Sequence, residues 1–583
     1  MFLSYLDWAL IFFYFFISLA IGISLARKAG KNSTEFFAAG KQMPWWLLGV
    51  SMVATTFSTD TPNLVTDIVR RDGVSGNWVW WAFLLTGMLT VFVYARLWKR
   101  SEVLTDIEFY ELRYSGKPAA FLRAFRAIYL GFFFNVVIMA SVSLAAIKIG
   151  GVLLGLTPIQ VILIAGTVTV IYSSLGGLRG VLITDLIQFA MAMIGGISVA
   201  VVALRLPQVG GLEGLLSNEN VVDKLNLLPD FSDPANAIAI FIIPIAVQWW
   251  SVWYPGAEPG GGGYIAQRML AAKNENNAIG AVFLFNAAHY ALRPWPWIIV
   301  ALCSLIVFPE LDDLRNAFPE SADIVNHDLA YPAMLTFLPA GLMGLVVSSL
   351  IAAYMSTIST HLNWGASYLV NDVYKRFLRS DASEPQLVLI GRFLTVVLMI
   401  FAGLLALFLE TALDSFWIML QIGAGTGLIF ILRWFWWRIN AISEIVAMAS
   451  SFLIAIYFHF FHEGLGFSSL LGWQKLIVGV GLTSMFWIIA TFMSKPTDNK
   501  VLINFVKKIN PGGPGWKRFE SGKVTKDWNV PKGILMMFLG CLSVYSFLFG
   551  TGYLIYGNPS LSLIIIAIGL ISSFGLYKTW TNQ

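Results

Sequence analysis

Runs of about 20 apolar residues recur along the whole of this 583-residue chain, and each is long enough to cross about 30 Å of hydrocarbon as a helix. In lipid the backbone has no water to bond, so a spanning segment closes its hydrogen bonds within a helix or a sealed barrel. Barrel strands need only about 9–11 residues, so runs of this length exclude a barrel. The fold class is therefore all-α and polytopic. Composition agrees: 57% of residues are hydrophobic, 12% are charged and mean hydropathy is +0.72, where soluble domains carry about a quarter charged residues.

Hydropathy resolves about fifteen spans, at residues 5–26, 44–69, 78–98, 121–149, 157–174, 180–204, 236–262, 278–307, 333–370, 387–408, 414–437, 442–460, 473–493, 532–553 and 559–577. The first has no basic start and no small-residue cleavage pattern, so it reads as retained. Basic residues gather on alternate connections. Arg27, Lys28, Lys31 and Lys41 follow the first span, Lys99, Arg100, Arg113 and Lys117 follow the third, and the polar stretch 494–531 falls on the same side. By the positive-inside rule that side is cytoplasmic. The expected placement is a bacterial inner (plasma) membrane, with the N-terminus outside and the C-terminus cytoplasmic. A net charge of +5, small and scattered, gives no nucleic-acid partner, and no obligate protein partner is inferred. Cys303 and Cys541 lie inside apolar runs and read as small core residues rather than a disulfide or metal framework.

Two spans are broken. The second carries Thr55, Thr56, Ser58, Thr59, Asp60, Thr61, Pro62 and Asn63 at membrane depth. The seventh is interrupted by Pro255, Gly256 and Pro259 and by the run Gly260 to Gly263. Unwound backbone at that depth is tolerated only when it is buried in protein or lines a cavity. The two breaks lie five spans apart, so with the first span set aside they open two successive five-helix halves. That is the layout of an inverted repeat, with solute and coupling ions at the breaks. The expected organisation is an extra helix at 1–43, a first repeat at 44–235 and a second at 236–440. Peripheral helices follow at 441–493, then the basic loop 494–531 and peripheral helices at 532–583.

Ala353, Ser356, Thr357 and Thr360 follow i, i+3, i+4, i+7 in the ninth span, with Ser359 beside them. Hydroxyls on one helix face supply oxygen ligands for a hard cation, or they allow tight helix packing. Asp185 is a carboxylate inside the sixth span, a costly placement that marks a functional candidate, or else, near the cytoplasmic end of that span, it is simply hydrated. His289 and Arg293 lie i, i+4 on one helix, with Trp80, Trp249, Trp250 and Trp253 available as aromatic wall. That set suits an anionic solute with a sugar face, or else Arg293 sits near the outer interface and His289 serves a neighbouring helix.

Several ordered blocks resemble the sodium:solute symporters, the family that includes sodium/glucose, proline, pantothenate and sialic acid transporters. They are Trp45, Trp46, Gly49, Val50, Ser51; Tyr172, Ser173, Gly176, Gly177, Leu178 with Thr184, Asp185, Ile187, Gln188; Gln267, Arg268, Ala271, Ala272, Lys273; and Asn371, Asp372, Val373, Tyr374, Lys375. The resemblance runs from about residue 5 to residue 460 and implies a leucine-transporter-like core. It implies Na+ as the coupling ion, held by carbonyls of Ala54 and Phe57 and by Ala353, Ser356 and Thr357. A second sodium site is implied at Asp185, Ser356, Ser359 and Thr360. The sugar-binding positions depart from the sodium/galactose members: Thr61, Trp80, Gly262 and His289 stand where they have glutamine, glutamate, asparagine and lysine. Gln421 and the gating Tyr264 are retained.

The expected function is sodium-coupled uptake of a small polar solute across the bilayer, a sugar or sugar derivative first. A monocarboxylate or amino acid, or proton coupling, is the alternative. An enzyme would need a nucleophile–base pair or a metal cluster at depth, and the sequence offers neither. A sensor would need a signalling module, for which 494–531 is too short. A channel differs from a transporter only in flux stoichiometry.

Overall fold

The computed structural model describes residues 3–252, 258–319, 325–409, 423–519 and 528–581. Among them every regular element is a helix, and the one extended pairing is an isolated bridge between Met43 and Ala272. Among the described residues eleven helices are long and apolar enough to cross a membrane. In chain order the elements used below are α1 (Tyr5–Ala29), α2 (Trp45–Thr56), α3 (Asp60–Asp72), α4 (Val74–Ser101), α5 (Gly116–Leu154) and α6 (Pro158–Leu204). They continue with α7 (Gly263–Ala271), α8 (Glu275–Val307), α9 (Leu342–Leu378), α10 (Glu384–Ala406), α11 (Ala441–Phe461), α12 (Gly472–Met493), α13 (Val530–Ile555) and α14 (Pro559–Thr581).

The difference from about fifteen expected spans has identifiable sources. The 44–69 span is two short helices, α2 and α3. The 236–262 span contributes only the short apolar helix Pro234–Trp250. The 414–437 span lies partly outside the described residues. The 157–174 and 180–204 spans form one 47-residue element bent at Gly177. At 1.5 Å per residue that element is about 70 Å long, twice a bilayer. Gly177 turns the chain with φ +54° and ψ −162°, and a β-carbon there would lie 2.8 Å from the Phe36 carbonyl oxygen. Only glycine fits both conditions.

The helices start where the sequence supplies caps. Ser4 and Asp7 form a capping box at α1, and Thr157 and Gln160 form another at α6, with Pro158 at its first position. α6 and α9 pack along each other, and α1 and α2 pack on α6. α2 also packs on the Glu275–Ala287 part of α8. The broken segment after α2 is therefore enclosed by protein, as unwound backbone requires. α9 is buried over most of its length, whereas α1 and α14 present Phe12, Phe13, Phe16, Leu563, Ile571 and Phe574 outward. Such rows suit lipid contact.

α13 and α14 form a hairpin on the outside of α4 and α8. The Tyr545 hydroxyl donates to the Trp81 carbonyl at 2.8 Å, and the Trp295 indole N–H donates to the Leu548 carbonyl at 2.9 Å. Gly552 takes the Trp295 ring and Gly540 takes Met88 and Phe92, each where a β-carbon would clash.

Candidate functional site

α2 stops because its last carbonyls find other partners. The Phe57 amide still donates to Val53 at 2.9 Å and to Ala54 at 3.2 Å, but Phe57 itself turns extended at φ −93°, ψ 90°. Helix resumes at Asp60, with Pro62 in the first turn, where the missing N–H costs nothing. The freed Thr55 carbonyl accepts the Thr357 hydroxyl at 2.8 Å. One residue of the stripe on α9 thus reaches the break directly. Ala54, Phe57, Ala353, Ser356 and Thr357 are all buried there. In this arrangement the Ser356 hydroxyl donates instead to Asp185 Oδ1 at 2.6 Å.

Asp185 is fully buried, not at a hydrated helix end. Its second oxygen accepts the Ser51 hydroxyl, and Arg268 Nη2 lies 3.8 Å from it. That guanidinium is equally buried and donates to Thr360 Oγ1 at 2.7 Å, to Ser51 Oγ at 3.1 and 3.2 Å, and to Gln267 Oε1 at 3.0 Å. Thr360 and Thr55 share a hydrogen bond of 3.0 Å, while the Ser359 hydroxyl donates back to the Ser356 carbonyl at 3.0 Å. Of the residues carried over to a second sodium site, Asp185 and Thr360 thus face a tethered cation and Ser356 joins them through Asp185, while Ser359 turns back to its own helix. The sequence block that contains Arg268 assigned it no role. An arginine in an apolar surrounding needs a counter-ion, but Glu258 and Glu275 lie nearer in the sequence, so only the fold brings Asp185 to it.

Against the break, with Thr55, Thr56, Ser58 and Thr357 in its wall, lies a cavity of ≈ 190 Å³, more than ten times the about 10–15 Å³ that admits one water. Thr61, Trp80, Tyr264 and His289 line it. Gly262 is buried two residues before Tyr264 and is not on the lining. Gln421 lies outside the described residues, as do Trp253 and Gly256. Trp80 is fixed by an indole bond to Asn77 Oδ1 at 2.8 Å and stacks near Tyr290, with ring centroids 5.8 Å apart. Asp60, Ser58, Ser141, Arg293 and His361 also line the cavity. Arg293 is thus in the cavity, where its pairing with His289 in the sequence offers it to an anionic solute, while Asp60 and Ser58 are legible in the sequence only as polar residues of the break. Ser141 and His361 come from α5 and α9, which only the fold brings here.

His289 is not a second cation beside Arg293. Its Nε2 lies 3.1 Å from Arg293 Nη2, which has only hydrogens to offer, so Nε2 accepts. Nδ1 then carries the proton and donates to Thr56 Oγ1 at 3.2 Å, while the Thr56 hydroxyl proton goes to the Met52 carbonyl at 2.9 Å. The imidazole is neutral and acts as a strut between the broken helix and the arginine.

Beyond the cavity the glycine run is held shut. Glu258 pairs with Arg126 in a buried contact, Gly263 N–H donates to Asp106 Oδ2 at 2.9 Å, and the Trp98 indole donates to the Gly260 carbonyl at 2.8 Å. Gly260 and Gly261 have φ of +90° and +85°, so this path needs glycine at both positions.

A small-molecule cavity and an oxygen-lined break that share one unwound segment define a cation-coupled secondary transporter. The sodium:solute symporter family model matches residues 36–453. The chain is 26% identical over 483 residues to a sodium/glucose cotransporter of Vibrio parahaemolyticus, covering 79% of this chain and 86% of that one. It is 25% identical over 476 residues to a sodium/sialic acid symporter of Aliivibrio fischeri, covering 78% and 87%. The solved structure of a Na+-coupled sialic acid symporter in a substrate-bound outward-open state superposes with a TM-score of 0.69 at 20% identity, over 85% of this chain and 99% of that one. This chain belongs to the sodium:solute symporter family. It is a multi-pass membrane protein that couples solute movement to sodium.

Proposed function

We propose that the chain takes up a small hydroxylated solute, a sugar or sugar derivative, by alternating access around the break at Phe57–Thr59. The halves 44–235 and 236–440 act as inverted repeats, with the remaining helices peripheral and about fifteen spans in all. The N-terminus lies outside and the 494–531 loop inside a bacterial inner membrane. One observation carries this reading. Thr55 and Thr357, bonded to each other beside the break, also line the solute-sized cavity, so an ion that draws them together also shapes the cavity wall.

Sodium binds at Ala54, Phe57, Ala353, Ser356 and Thr357. Arg268 already supplies positive charge to Asp185 and Thr360, which favours one sodium per solute. That ion, moved through about 100 mV, releases about 2.3 kcal/mol, and a roughly tenfold sodium gradient adds about 1.4 kcal/mol. The sum sustains between two and three decades of accumulation.

Uptake into liposomes from a panel of labelled sugars, sugar acids, amino acids and monocarboxylates, with and without an inward sodium gradient, tests the reading. A sodium-driven solute lost in a Ser356→Ala, Thr357→Ala variant supports it. Equal accumulation without sodium sinks it and points to a proton gradient.

A further inference from the structure

We propose that the solute carries a carboxylate received by Arg293, so that the chain takes a small hydroxylated acid such as a sugar acid in preference to the neutral sugar. This rests on the cavity being the solute site. Arg293 is 2% exposed and lines the cavity, and its Nε and Nη1 have no hydrogen-bond partner among the described residues. What holds it in place uses other atoms. Nη2 is engaged by His289, and the guanidinium carbon lies 5.2 Å from the centroid of the Trp297 ring. Neither neighbour supplies negative charge. Asp60, in the same cavity, is near enough to act on the guanidinium charge but bonds neither Nε nor Nη1, and buried N–H donors left unbonded are costly.

The other lining groups do not meet the demand. His289 has committed both ring nitrogens. Asp60, the acidic residue among the described lining groups, sits in the first turn of α3, where the helix dipole stabilises it, and it is not a partner of Nε or Nη1. The Ser141 hydroxyl, nine-tenths buried, also lacks a partner among the described residues and lines the cavity, as does Ser58, equally buried, whose hydroxyl is turned toward Asp60. The unmet groups are thus N–H and O–H donors beside the rings of Trp80, Phe83 and Tyr290. A carboxylate offers the most acceptor sites to a guanidinium, and a hydroxyl answers Ser141. A chain moving one sodium with one carboxylate moves no net charge, so for an acid the membrane potential adds nothing and the roughly tenfold sodium gradient alone, about 1.4 kcal/mol, sustains about one decade of accumulation.

The test pairs acids with their neutral counterparts: galacturonate with galactose and glucuronate with glucose. Binding to the full-length protein is followed by tryptophan fluorescence in sodium, and transport by uptake into liposomes. Wild type should favour the acids by about tenfold or more. Arg293→Gln should level each pair while keeping its fluorescence response to sodium alone, which shows that the fold survives. Arg293→Lys should restore part of the preference. Sodium-driven transport of the neutral sugars, equally in wild type and Arg293→Gln, overturns the carboxylate and leaves symport standing. A preference that persists in Arg293→Gln also overturns it, as does failure of both acids to bind. Absence of any sodium-dependent uptake across the wider panel removes the proposed function and the inference with it.

Discussion

Thr357→Ala isolates the contribution of one hydroxyl to sodium binding. In this structure that hydroxyl donates to the Thr55 carbonyl at 2.8 Å, an ordinary hydrogen bond worth about 1 kcal/mol net. With sodium bound, the same oxygen turns its lone pairs to a charged partner, an interaction worth about 1.5–3 kcal/mol. Alanine loses both, so only the difference, about 0.5–2 kcal/mol, appears in the binding constant. The half-saturating sodium concentration should therefore rise between about twofold and about thirtyfold. Thr357→Ser keeps the oxygen and should stay near wild type. The assay is uptake at fixed solute against sodium concentration, with tryptophan quenching by sodium alone as a solute-free check. An unchanged half-saturation in Thr357→Ala, or a serine variant as impaired as the alanine one, refutes the assignment.

Breaking one side of a buried ion pair costs about 3–5 kcal/mol, so Asp185→Asn and Arg268→Gln should each lower the detergent melting temperature sharply, and the double variant by less than the sum; additive losses would argue against the pair. His327, in the connection after α8, accepts from Arg70 Nε at 3.3 Å, and burial with the Arg70 charge lowers its pKa from 6.5 to about 4. Its folded form favours the neutral ring, so its contribution is intact above pH 6.5 and lost as pH falls toward 4. His327→Gln should flatten melting temperature over that window, and a slope identical to wild type counts against the assignment. Gly177→Ala forces a side chain into a backbone region that costs about 1–3 kcal/mol and against the Phe36 carbonyl; wild-type thermal stability in that variant would contradict the bend.

The helical class and the two interruptions were legible because each depends on local sequence. Hydrophobic run length fixes a span, and Thr59-Asp60-Thr61-Pro62 in the midst of one cannot be lipid-facing. Helix count was less legible: α2 and α3 are individually too short to score as spans, and the bend at Gly177 joins two spans into one element. Arg268 and Asp185 stand 83 residues apart in number, and no periodicity links a carboxylate on α6 to a guanidinium on α7. The same holds for Ser141 and His361, which reach the cavity from different helices. His289 was visible as a residue, but its tautomer is set by Thr56 and Arg293, neighbours that only the folded chain supplies.

The C-terminal hairpin bonds to α4 through Tyr545 and to α8 through Trp295, so it staples together two helices that both carry cavity wall. α4 supplies Trp80 and Phe83, and α8 supplies His289, Tyr290 and Arg293. Sliding those two helices past each other would break both bonds, so in the proposed alternating-access cycle they move as one block against the α6–α9 pair. A fluorophore attached near Thr581 would travel with the solute-facing wall, and one near Leu204 would travel with the opposing scaffold. The distance between them would report each turnover without touching the ion, the solute or the gate.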